Sequence, residues 1–275
     1  MKPPIPLLQD RDGFPLLSLG DINRLQREEK ERIYAQLIPD AVFDDFAIGR
    51  TTFCDREGHR LVHFVCPDGL GLLRIEIRRR PGDLDCLFFV EIADTPYRQI
   101  ELAFCLINDP EAERYDIDID ENGRDNCFGT LRRNFGEELK AMAAGLSPNQ
   151  VRRGLQLFSP FFRRFEAFVM ALGIDTIVAE PLSYNNAIRY EKYGFDYITG
   201  KQLMLWIDRE FQPGGRLYHR LDGASPFRRP GMEKSVRGRS WAIHDGILER
   251  SWDGVRIYKV PGVDAGIDTF PDRKF

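Results

Sequence analysis

A chain of 275 residues, 43% hydrophobic and 12% aromatic, is long enough to bury an ordinary core. No apolar run approaches the ~18 residues that would cross a bilayer. The opening Met-Lys-Pro-Pro-Ile-Pro has prolines where a signal peptide needs an apolar helix, so the reading is a cytoplasmic protein without a membrane partner. A formal charge of −4 argues against general nucleic-acid affinity.

In chain order, Ile22, Leu25, Ile33 and Leu37 stand among dense charges, which predicts a surface helix over 21–37, capped by Asp21 and ended before Pro39. From Ala47 the texture is β. Strands are predicted over 47–54, 60–66, 70–78, 84–93, 99–107 and 114–120, separated by Glu-Gly, Pro-Asp-Gly, Pro-Gly and Asn-Asp-Pro turns. Short connections make neighbours antiparallel. Helices follow over 130–144 and 154–172, the second with Phe161, Phe165, Phe168, Val169 and Leu172 on one face and Gly173 past its end. A strand over 174–180, a helix over 184–193 stopped by Gly194, and further strand between 195 and 207 complete an α/β pattern. From Gln212 the chain is rich in Gly, Pro and Arg, with 240–248 and 254–260 fitting a late hairpin before a tail. The division is a helical lead-in (1–45), an α/β domain (46–211) with an insertion at about 121–145, and a C-terminal extension (212–275).

Cys54, Cys66, Cys86, Cys105 and Cys127 contain no Cys-x-x-Cys pair and lie in apolar surroundings, which suits buried thiols. His59 and His63 lack ligands at metal-binding spacing. Asp118-Ile-Asp-Glu-Asn-Gly begins like a calcium loop, but Gly129 occupies the place of the bidentate glutamate. His244-Asp245 has no Gly-x-Ser-x-Gly elbow to accompany it. Arg228, Arg229, Lys234, Arg237 and Arg239 read either as a phosphate-binding run or as a solvated loop.

The segment 146–195 points to chemistry. Arg152, Arg153 and Gly154 before a helix offer backbone N–H groups, a helix dipole and positive charge to a diphosphate. Leu146 and Pro148 lead in, Gly154 sits in the loop, and Tyr190-Glu191-Lys192 precede Gly194-Phe195. This order resembles the acyl-CoA-binding half of the GNAT acyltransferase superfamily, most closely over 146–207. Val151 stands where that family has Arg or Gln, with Gln150 one place early. Gln156 stands where it has Gly or Ala, and Leu155 fills the free place between. Ser159-Pro160 either begins the helix or kinks it.

The resemblance implies a GNAT-like fold, a mixed, mainly antiparallel sheet flanked by helices that splays open at its middle. It implies transfer of an acyl group, acetyl first, from acyl-CoA to a small-molecule or peptide amine. The loop from Gln150 to Gln156 would hold the CoA diphosphate. Tyr190 would return a proton to the thiolate, since a phenol with a pKa of ~10 stays neutral while able to donate. A general base belongs on the central strands, with Glu101 the first candidate and Asp116 the second; both also fit outward positions of alternating strands. The alternatives are a non-catalytic protein that keeps the fold to bind a ligand or partner, and an acyltransferase taking a carrier-protein thioester. Exposed aromatics and the extension allow a homodimer.

Overall fold

The charged N-terminal segment is broken into short helices rather than forming one. In the computed structural model, which describes residues 5–120, 122–126 and 132–271, Ser18 accepts from the Asp21 N–H at 3.0 Å and caps α1 (Leu19–Asn23). The cap is therefore Ser18, not Asp21. α2 (Arg27–Tyr34) and α3 (Asp40–Asp45) follow, α3 starting directly after Pro39.

Four predicted strands are present as β1 (Val62–Val65), β2 (Leu72–Ile77), β3 (Phe88–Asp94) and β4 (Ile100–Ile107). Two are not. Residues 47–54 turn instead, with Ala47 and Phe53 at φ 53° and 60°, a region no strand visits. Residues 114–120 bury Tyr115 and Ile117 alternately without a ladder, because Arg114 binds Asp116 and Asp118 across the turn and the Tyr115 N–H donates to Val151 at 2.8 Å. Alternating burial mimicked a strand there.

α4 (Phe135–Ala143) is capped by Asn134, α5 (Phe158–Ala171) is the long phenylalanine-rich helix, and β5 (Ile177–Ala179) precedes α6 (Tyr184–Glu191) and β6 (Asp196–Thr199). The strand predicted up to 207 stops at Gly200, whose φ of 90° opens α7 (Lys201–Glu210). Met204, Ile207 and Phe211 are buried at helical spacing along it. α8 (Arg216–His219) and α9 (Val236–His244) follow, then β7 (Arg256–Lys259). The late hairpin is thus corrected. Residues 240–248 begin inside a helix capped by Ser235, which accepts from the Gly238 N–H at 3.0 Å, and β7 pairs antiparallel with β6.

The chain is an α/β protein whose strands are mixed and mostly antiparallel. It divides into two compact units. One comprises Met1–Glu111, Gly154–Ala179 and Lys259–Val263. In it β1, β2, β3 and β4 run antiparallel in that order and β5 joins β4 in parallel. α5 covers the apolar face, with Phe161 edge-on to Phe88 at 5.7 Å and stacked on Phe165. Burying such a ring contributes about 1.5–3 kcal/mol.

The other unit comprises Ala112–Arg153, Glu180–Tyr258 and Asp264–Phe275. Trp241 of α9 stacks on Phe227 at 5.1 Å, and its indole N–H donates to the Leu146 carbonyl at 2.9 Å. Among the described residues no helix is long and apolar enough to cross a membrane.

Candidate functional site

Within the first unit, β4 is longer than its pairing with β5. β5 meets only Ile100 and Glu101, so the β4–β5 pairing ends at Glu101. β4 is also irregular where it departs. Glu91 of β3 faces Phe104 and Ile92 faces Leu102, leaving Ala103 as an unmatched residue. A bulge of this kind re-aims a strand and ends pairing. Glu101 is half-buried at the last paired position, on the face opposite buried Ile100 and Leu102.

The chain returns to the far end of β4 at Gly154. A Cβ on Gly154 would stand 2.8 Å from the Ile107 carbonyl oxygen, so only glycine allows this approach. Gln156, exposed, takes φ 59°, a conformation that suits the glycine of the resembling loop. Among the described residues the N–H groups of Gly154, Leu155, Gln156 and Leu157 have no hydrogen-bond partner. The helix begins after them at Phe158, with Pro160 in its first turn, where a missing N–H removes no helical bond. The helix thus starts four residues later than predicted, and Gly154 lies outside it.

The preceding loop residues belong to the second unit. The Gln150 side-chain oxygen accepts from the Ser147 N–H at 2.8 Å. Val151 is buried with Tyr115, Ile117, Ala141 and Trp241. Arg152 donates to the Ala112 carbonyl at 2.6 Å. Arg153 is exposed, with a long 3.4 Å contact to the Ala144 carbonyl.

Tyr190, near the end of α6, is half-buried with its ring edge-on to Phe195 at 5.0 Å. Its neighbour Glu191 is buried and accepts from the Tyr197 hydroxyl at 2.5 Å and the Thr269 hydroxyl at 2.6 Å. Asp116 is exposed and ion-paired to Arg114. The basic segment is split in character. Arg228 holds Asp245 at 2.8 Å, while buried Arg239 holds Asp208 at 2.7 Å with its guanidinium 3.9 Å over Phe270. Burial pushes the Tyr184 phenol beside Arg239 up to about 12.

Asp55, Glu57 and His59 bring ligand-type atoms within 4.8 Å of one another, so His59 does have carboxylates at fitting distance where none was expected. Asp55 accepts from the backbone of Glu57 and His59 at 2.9 Å each, so a turn alone assembles them. Asp120 likewise closes its own turn through Asn122 and Arg124, while Asp118 pairs with Arg114. Cys54, Cys66, Cys86 and Cys105 are half-buried rather than buried, and burial raises the thiols of Cys66 and Cys86. Cys127, Glu121, Gly129 and the start of the helix predicted from Thr130 lie outside the described residues. No family model matches the chain, and neither does any curated protein or solved structure.

Proposed function

We propose that this chain is an acyl-CoA-dependent N-acyltransferase of GNAT-like fold, acting on an amine by direct transfer. The observation that carries the reading is the end of β4. The pairing with β5 ends at Glu101, beside a bulge, and a run of unpartnered N–H groups begins at Gly154, which meets the strand's far end at Ile107. Such a run supports an anion. The diphosphate is held by those N–H groups and by the exposed guanidinium of Arg153. CoA, when bound, supplies the activated thioester.

The amine nitrogen bonds to the thioester carbonyl carbon as the carbon–sulfur bond breaks. Glu101, or a water that it orders, takes the amine proton as the thiolate departs. Calorimetry with CoA and acetyl-CoA tests the reading, comparing the native chain with Arg153→Glu. Micromolar binding weakened at least ~10-fold in the variant supports it, whereas no binding at about 1 mM rejects it. With an accepted amine in hand, Glu101→Gln lowers kcat by about 10²-fold or more. Burial of Val151 and the internal use of Gln150 favour a second reading, a non-catalytic protein that keeps the fold to bind a partner.

A further inference from the structure

Three separate segments of the second unit line a half-open cleft of about 450 Å³, within the range of small-molecule sites. Its apolar surface comes from Leu217 and Leu248, both buried, and from Leu203 and the half-buried indole of Trp206 on one face of α7. Its mouth is cationic. Arg216 at the start of α8 and Arg250 are exposed, and among the described residues neither guanidinium has a hydrogen-bond or ion-pair partner. Arg220 is already matched by Glu249 at 2.6 Å and by the Ile247 carbonyl at 3.0 Å. Glu249 adopts φ 57°, so a strained residue turns the third segment into place. The Trp206 indole N–H is likewise without a protein partner among the described residues.

We infer that this cavity binds a small organic anion, with a flat or short apolar body against Trp206 and the leucines and one carboxylate or phosphate between Arg216 and Arg250. The lining carries three arginines and one glutamate, with the Glu210 carboxylate accepting from the Arg216 N–H at 2.9 Å, so cations still outnumber acids there in a chain of net charge −4. A planar guanidinium suits both carboxylate and phosphate. An aromatic wall with few polar groups suits an apolar body and fixes its orientation. The cavity is assembled whether or not the chain takes CoA.

Calorimetry with phenyl phosphate and benzoate as probes, and with inorganic phosphate and benzyl alcohol as their halves, tests the assignment. At least one aromatic anion is expected to bind at least ~10-fold tighter than either half, and each of Arg216→Ala and Arg250→Ala to weaken it by about 10-fold. Tighter binding of phenyl phosphate assigns a phosphate head, and tighter binding of benzoate a carboxylate. Both arginines are exposed, so these variants leave the core intact, and Trp206→Leu reports the ring contact separately. Binding no tighter than that of benzyl alcohol, binding untouched by both arginine changes, or no saturation by about 10 mM overturns the assignment.

Discussion

The backbone of Gly154 passes so near the Ile107 carbonyl that a methyl group there would meet the oxygen at 2.8 Å. The oxygen belongs to backbone and cannot swing aside as a side chain would. Gly154→Ala is therefore expected to force the chain from the end of β4 at about 1–3 kcal/mol. Thermal melts measure it. Arg153→Ser, at an exposed neighbour, should leave the midpoint unchanged. A Gly154→Ala chain as stable as the native one would mean that the approach is not tight.

Stability should fall in acid through Glu138. Its carboxyl is buried, which alone pushes it up, but hydrogen bonds from His244 at 3.0 Å and Arg133 at 2.9 Å outweigh burial and leave it below its ordinary value. A carboxyl depressed in the folded state contributes stability above its unfolded value of about 4.3, and loses it as pH falls through the folded one. The native midpoint should thus drop more steeply below about pH 4.3 than that of Glu138→Gln. At neutral pH the variant should be less stable by about 1–3 kcal/mol, since Arg133 loses one carboxylate but keeps Asp245. Parallel curves for the two proteins would remove Glu138 from the acid response.

Much of the strand pattern was legible because β2 and β3 alternate buried and half-buried residues, the period that a sheet with one covered face imposes. The same signal misled at 114–120, where Tyr115 and Ile117 are buried by loop contacts. Around α7 the helical set Met204, Ile207 and Phe211 was masked by the neighbouring Leu203, Leu205 and Trp206. Gly154 was legible as a glycine in a suggestive loop, but its reason is a carbonyl on a strand far earlier in the chain. The Trp206 cavity could not be read at all, since α7, α8 and the turn after α9 supply it separately.

Asn23 is fully buried, yet each polar atom has a use. Its amide nitrogen donates to the carbonyls of Leu70 at 2.5 Å and Leu72 at 2.8 Å, and its oxygen accepts from the Tyr34 hydroxyl at 2.5 Å. Tyr34→Phe should leave that oxygen unpaired and cost about 1–3 kcal/mol, although the apolar ring remains. Asn23→Leu should cost more, because two carbonyls lose their donor. Chemical denaturation of both variants checks the order. The reverse ranking would show that packing, not hydrogen bonding, governs this position.

Glu191 fixes the end of the chain. Its carboxylate takes the Thr269 hydroxyl at 2.6 Å, the Thr269 N–H at 3.0 Å and the Tyr197 hydroxyl at 2.5 Å, joining α6, β6 and the C-terminal segment in a buried cluster. Burial first, and then Glu191 itself, hold the Tyr197 phenol far above its ordinary range, so it remains a donor at any physiological pH. Thr269→Val removes one hydroxyl donor while preserving shape, and should cost about 1–3 kcal/mol. Glu191→Gln places an N–H₂ group among donors and should cost at least as much. Limited proteolysis gives the local reading. Faster cleavage beyond residue 263 in Thr269→Val, with the rest of the pattern unchanged, is the expected result. Uniformly faster cleavage would instead mean that the cluster supports the whole unit rather than its C-terminal strap.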